Sequence, residues 1–278
     1  MLEYVAEKIK EADLVLIGLG EELDLVKSIR KEEKYRKIAD AVEKKWLLPF
    51  VEKLMLEDEG EEKLKIYRMF AEALKEKNYF VVSICRDGLI EQAGFKEQRT
   101  VEPCGSYRKL QCSEKCKESL YDVEEEFLEQ VRAFMNGKIT EDELQEPCCP
   151  VCGKPLVFNN IDAENYMEEG YLNQWMIYKK WLQGTVNKKL CVLELGVGMK
   201  YPTVIRWAFE KIVFFNQKAE LFRVHSWLHQ ITEEIKEKGH GICQEPEEFI
   251  RELSNALSYV KLENENESKV NLRNESRG

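Results

Sequence analysis

Two short-spaced cysteine pairs constrain this chain more than any other feature. They are Cys112-Ser-Glu-Lys-Cys116 and Cys149-Pro-Val-Cys152, the second followed by Gly153, with 32 residues between them. Thiolates carried on two such turns make a closed tetrahedral site for Zn²⁺, and soft, charged sulfur ligands favour zinc over magnesium or calcium. The glycine after the second pair lets backbone amides turn toward the sulfurs. Four protein ligands leave no open coordination position, so the metal is expected to be structural, folding a module and doing no chemistry. Cys148 competes with Cys149, but the two-residue gap to Cys152 suits a knuckle better. The spacer reads as a helix from Asp122 to Asn136, acidic in its first turn and followed by Gly137.

The other residues decide what surrounds that module. Of 278 residues, 44% are hydrophobic, enough for one large domain with a small appendage. The formal net charge of −10 disfavours a nucleic-acid surface, which needs clustered Lys and Arg to neutralise phosphates. Charges interrupt the apolar residues of the first 18 positions, which excludes a signal-peptide core there, and no stretch approaches the roughly 18 uninterrupted apolar residues of a membrane span. The expectation is a cytoplasmic protein without a membrane partner. In that compartment its nine cysteines point to thiols and metal rather than disulfides.

Short apolar runs at 13–18, 79–84, 190–195, 212–215 and 220–225 read as buried strands. Leu64, Tyr67, Ala71 and Leu74 repeat at helical spacing, as do Phe127, Val131 and Phe134, and Tyr171, Trp175, Tyr178 and Leu182. Strands alternating with helices predict an α/β doubly wound parallel sheet, with ligands at the carboxyl ends of its strands. The first strand runs into Gly18-Leu19-Gly20, where such folds bring backbone amides up to a pyrophosphate, although Glu21 and Glu22 follow where an anion would sit. Residues 105–160 break the alternation and hold five of the nine cysteines, so they read as an insert. The sheet domain is then expected at 1–104 and 161–260. The polar segment 261–278 reads as a disordered tail.

Gly18-x-Gly20, then Asp87, Ala93-Gly94-Phe95, Gly105-Ser106, the four cysteines and Leu195-Gly196-Val197-Gly198 follow one another along the chain. This order resembles the sirtuins across residues 12–225, as a series of motifs rather than one signature. The resemblance implies a Rossmann-like NAD domain with an inserted small zinc-ribbon module. It also implies cleavage of the nicotinamide–ribose bond of NAD, either to deacylate lysines or to transfer ADP-ribose. Stretches 79–112 and 191–202 look most like the macrodomain-linked bacterial sirtuins, which act as protein ADP-ribosyltransferases. That likeness implies a protein substrate, with a lipoyl-carrier protein as a candidate partner.

Carried over position by position, Gly18 and Gly20 match the glycines of the family's phosphate loop, with Glu21 and Glu22 replacing the small residues expected next. Gly196, Val197 and Gly198 match the loop beneath the ribose and phosphates, and His225 falls near the Asn of the adenosine-binding strand. Asp87 matches the acidic residue that hydrogen-bonds the nicotinamide amide. Cys85 replaces the Asn that positions the reacting ribose, and Arg86 replaces a hydrophobic residue between them. Cys104 stands where deacylases have the catalytic His and the macrodomain-linked group has Gln. Four readings of Cys104 are open: a general base activated by Arg86, a nucleophile, a redox partner of Cys85, or an inert buried thiol. Arg86 beside the nicotinamide pocket is expected to repel a cationic ring and so favour ADP-ribose or another anionic ligand over intact NAD, while Glu21 and Glu22 would each cost on the order of a kcal/mol beside a pyrophosphate unless they point outward. The expected function is that of a divergent sirtuin-like, NAD-dependent enzyme with structural zinc. The alternative is a catalytically dead sirtuin-fold protein that binds ADP-ribose, NAD or a protein partner.

Overall fold

The structure is a computed structural model that describes residues 1–258; the segment expected to form a tail, 261–278, lies outside the described residues. Among the described residues, six parallel strands form one sheet in the order β3-β2-β1-β7-β8-β9. They are β1 (Leu14–Leu19), β2 (Tyr79–Ser83), β3 (Thr100–Val101), β7 (Leu190–Leu195), β8 (Ala219–Val224) and β9 (Gly239–Ile242). The order reverses between β1 and β7, which makes the crevice outside their carboxyl ends the switch point of a doubly wound fold.

The strands show a strict period of two in what they bury. Val15, Ile17 and Leu19 of β1, with Cys191, Leu193 and Leu195 of β7, face one apolar layer. Leu14, Leu16, Leu190 and Val192 face the other. The first layer is covered by α1 (Leu2–Glu11), by α5 (Glu61–Leu74) and by a last helix over residues 246–258. The second is covered by α8 (Glu169–Gln183) and α9 (Arg206–Phe215). Burial on both faces explains why these strands read as continuous apolar runs rather than alternating ones. The aromatic face of α8 packs Tyr178 and Trp181 on Phe80, so the Trp- and Tyr-rich stretch is core packing.

One expected strand is a helix. Residues 212–215 form the last turn of α9, which buries Phe209 and Val213 and leaves Phe215 exposed. A four-residue apolar run fits either period, and here the i, i+4 pair carries the burial. The pattern also passed over β9, whose Gly-His-Gly-Ile sequence has too few apolar residues to read as a strand.

A smaller antiparallel sheet has the order β5-β4-β6, formed by β4 (Gly105–Cys112), β5 (Leu120–Asp122) and β6 (Leu156–Asn160). Helix α7 (Glu125–Met135) spans the spacer between the cysteine pairs. Residues from a second part of the chain complete this lobe. Helices α2 (Leu25–Ile29), α3 (Glu33–Ala41) and α4 (Leu48–Glu59) pack against it, and Val26, Phe50, Val51 and Leu54 share one apolar cluster with Tyr107, Leu128, Val131 and Phe158. The short α6 (Leu89–Gln92) follows Asp87 and Gly88. Among the described residues no helix is long and apolar enough to cross a membrane.

Candidate functional site

The sulfurs of Cys112, Cys116, Cys149 and Cys152 all lie within 4.8 Å of one another. Zn–S bonds of about 2.3 Å in a tetrahedron place sulfurs roughly 3.8 Å apart, so the four fit around one thiophilic ion. Cys112 and Cys152 are 3.5 Å apart, as are Cys116 and Cys149. Each pair sits on a tight turn closed by backbone bonds, Lys115 N–H to Cys112 O at 3.0 Å and Gly153 N–H to Cys149 O at 2.9 Å. Cys148 points away, donating to Glu146 O, which decides its competition with Cys149.

At the switch point two glycine loops meet backbone to backbone. A Cβ on Gly20 would lie 2.2 Å from Gly196 O and 2.3 Å from Val197 Cα, so only glycine permits the approach. Gly18 serves a different purpose. It lies within β1, and a Cβ there would strike Ile205 and Phe209, so it lets α9 close on the sheet. The side chains after Gly20 turn back onto neighbouring loops. Glu21 accepts from the N–H groups of Gly198 (3.0 Å) and Lys200 (3.1 Å), and Glu22 accepts from Ser226 N–H (3.2 Å). His225 stands beside Glu22 at 3.1 Å, but its Nδ1 accepts from Trp227 and Leu228 N–H at 3.0 and 3.2 Å. Burial lowers its pKa, while the neighbouring Glu22 carboxylate works in the opposite direction.

Across the crevice Asp87 is buried, accepting from Leu25 N–H (3.2 Å) and Leu89 N–H (3.0 Å). Burial, helped by the charge of Asp24, raises its pKa to about 6, and it is ionised at neutral pH. Asp24 caps α2 through Val26 N–H and accepts from both Arg86 N–H and Arg86 Nε, at 3.2 and 3.0 Å. Arg86 also donates to Asp162 at 2.5 Å. Its charge is thus paired with two carboxylates, one of which, Asp162, it shares with Arg30.

Cys104 and Cys85 both lie buried, in apolar clusters on opposite faces of the sheet. The fold does not bring them together as a redox pair. The Cys85 thiol donates to Gly20 O at 3.3 Å and so braces the first glycine loop. Burial pushes the Cys104 thiol up to about 12, and Arg86, the largest opposing influence, does not reverse this. Arg86 pairs with Asp24 and Asp162 and only partly offsets the effect of burial on Cys104, which weighs against the general-base reading of this thiol. Beside this turn, a cavity of about 400 Å³ is lined by Glu102, Gly105, Arg108, Tyr166 and Tyr171, among others.

Solved structures with the same architecture include a Sir2 homologue mutant in complex with ADP-ribose, at a TM-score of 0.55 and 14% identity, covering 94% of this chain and 98% of that one. The complex of a Sir2 homologue with NAD matches at a TM-score of 0.55 and 14% identity, over 93% and 94% of the two chains. The chain has a sirtuin fold. No protein-family model matches it. Among curated proteins, a protein ADP-ribosyltransferase of Staphylococcus aureus is 24% identical over 164 residues, 58% of this chain and 51% of that protein. A probable bifunctional ADP-ribose hydrolase/ADP-ribosyltransferase of Fusarium oxysporum is 28% identical over 151 residues, 52% of this chain and 25% of that protein. The chain thus spans about half the length of the first of these relatives and a quarter of the second.

Within the sirtuin fold, Gly20, Asp87, Cys104 and the 196–198 loop follow the carboxyl ends of the parallel strands β1, β2, β3 and β7. Sequence reasoning missed what holds them. Arg206 donates to Val197 O at 3.0 Å, and Arg223 donates to Gln230 O at 2.7 Å. Arg223 is fully buried and paired with Glu194, its direct cross-strand partner between β7 and β8. One opposite charge inside each of two adjacent apolar runs was the available signal. Asp24, directly before the apolar start of α2, was legible as a helix cap.

Proposed function

We propose that this chain is an NAD-dependent ADP-ribosyltransferase of the sirtuin type, with structural zinc at its four cysteines. The fold, the complexes of its structural neighbours with NAD and ADP-ribose, and the names of its two curated relatives support the reading. The observation that favours transfer over deacylation is the Cys104 thiol, pushed up to about 12 by burial. Deacylation requires a base that takes a proton from a ribose hydroxyl, and a protonated thiol supplies none at neutral pH. Transfer to an acceptor that already carries a free electron pair needs no such base. The acceptor forms a bond to the ribose carbon, and the electron pair of the breaking C–N bond leaves with neutral nicotinamide. In this reading Asp87, ionised and fixed by two backbone N–H groups, holds the nicotinamide amide. In the same reading Arg86, paired with Asp24 and Asp162, repels the cationic ring less than an unpaired arginine would, which weakens the expected preference for ADP-ribose.

Labelled NAD incubated with candidate acceptor proteins, a lipoyl carrier among them, tests the proposal. The expected result is nicotinamide release with label on the acceptor, retained in Cys104→Ala, and no turnover of acyl-lysine peptides. Absence of nicotinamide release with every acceptor overturns it. The second reading, a sirtuin-fold protein without catalysis, is favoured by Glu21 and Glu22, whose carboxylates occupy amides of the crevice that a reacting nucleotide's phosphates would need. Binding of ADP-ribose with no turnover of NAD would select that reading.

A further inference from the structure

We infer that Glu21 is a built-in occupant of the phosphate seat in the crevice and sets how tightly a nucleotide can bind there. The inference rests on the nucleotide reading of the crevice given above. Two N–H groups from one turn, those of Gly198 and Lys200, converge on the Glu21 carboxylate at 3.0 and 3.1 Å. Two amides of one loop, each aimed at a different oxygen of one anion, are what a phosphate can use in loops of this kind. The seat is shaped to the carboxylate. A Cβ on Gly198 would lie 2.3 Å from Glu21 Oε1 and 2.9 Å from Cδ.

Glu22 does the same one loop further on, at Ser226 N–H, so the loops after β1, β7 and β8 are joined by the chain's own anions. A carboxylate and a phosphate oxygen cannot share the same two amides, and their like charges repel in a partly desolvated site. The loops themselves are held from behind. Arg206 binds Val197 O, and Arg206 and Arg223 both donate to Gln230 O. Glu21 is only half-buried, and rotation of its side chain into solvent frees the amides without dismantling the loops. Glu21 is thus a specificity-determining residue that acts by occupying the seat.

Calorimetric titration of the full chain with ADP-ribose tests this, using wild type, Glu21→Gln, Glu21→Ser and, as a remote control, Glu7→Gln on α1. Both Glu21 variants are expected to bind at least about tenfold more tightly than wild type, or 1.4 kcal/mol, with Glu7→Gln unchanged. Equal, measurable affinity in all four proteins overturns the inference and leaves the nucleotide reading standing. Weaker binding in the Glu21 variants also overturns it, since Glu21 would then hold the ligand. Silence in all four overturns both. Amide hydrogen exchange on the wild type keeps the test independent of variant folding. The Gly198 and Lys200 amides should exchange slowly in the free protein, and rapid exchange at both removes the seat's occupant.

Discussion

The cysteine centre and the glycine crevice are built on opposite principles. In the first, chemistry resides in four side chains, so its identity travels with residue type and spacing. In the second, chemistry resides in backbone N–H groups, so side chains enter mainly as obstructions or as props. The cysteine site keeps every ligand its pattern implies and excludes the competitor Cys148 by geometry. The crevice keeps its glycines, yet fills its amides with Glu21 and Glu22. A site made of side chains is lost by one substitution; a site made of amides survives substitution and is regulated by what leans on it.

The largest expected effect breaks the first half of this contrast. Cys149→Ser, or chelation, should remove the metal and unfold the small lobe, because structural zinc contributes on the order of 10 kcal/mol of folding free energy. Elemental analysis and near-UV circular dichroism read this. Cys148→Ser should leave metal content at wild-type level, and an equal loss would show that the knuckles are misassigned.

The next effect concerns the props of the crevice. Glu194→Gln leaves the fully buried Arg223 with Glu210 as its remaining ion-pair partner, and should cost about 3 kcal/mol in urea unfolding. The double variant Glu194→Leu/Arg223→Met should recover most of that loss, since the pair is replaced by apolar volume. If the single variant is neutral, the crevice does not depend on this pair.

The smallest expected effect is a pH dependence at Asp87. Its folded pKa of about 6 lies above the ordinary 3.8, so the folded state holds the proton more tightly and stability falls as pH rises between those values. Relative to Asp87→Asn, wild type should lose about 2 kcal/mol between pH 4 and pH 7, with little further change above. A flat difference across that range would mean that Asp87 titrates normally, and the tightly held carboxylate at the crevice would go with it.

What was legible in the sequence follows the same division. The metal ligands and the central strands β1, β2, β7 and β8 could be read because buried parallel strands are apolar on both faces and thiolate turns have fixed spacing. Residues 212–215 misled because four apolar residues suit a helix end as well as a strand. The state of Cys104 was not legible, because its pKa depends on burial and on Asp24 and Asp162, which lie 80 and 58 positions away and pair with Arg86. The bonds of Glu21 and Glu22 were hidden for a related reason: their partners are N–H groups, which every residue but proline carries.

The apolar cluster shared by α2, α3 and α4 with the cysteine lobe has a practical consequence for anyone who would treat that lobe as a cassette. Excising residues 105–160 would strip the cover from Val26, Phe50, Val51 and Leu54, and Val26 is the immediate neighbour of the Leu25 amide that grips Asp87. Grafting the cysteine turns elsewhere would fail for the mirror-image reason, since half of their hydrophobic bedding comes from upstream sequence. Recombination between relatives should therefore tolerate crossovers only where both stretches are inherited together.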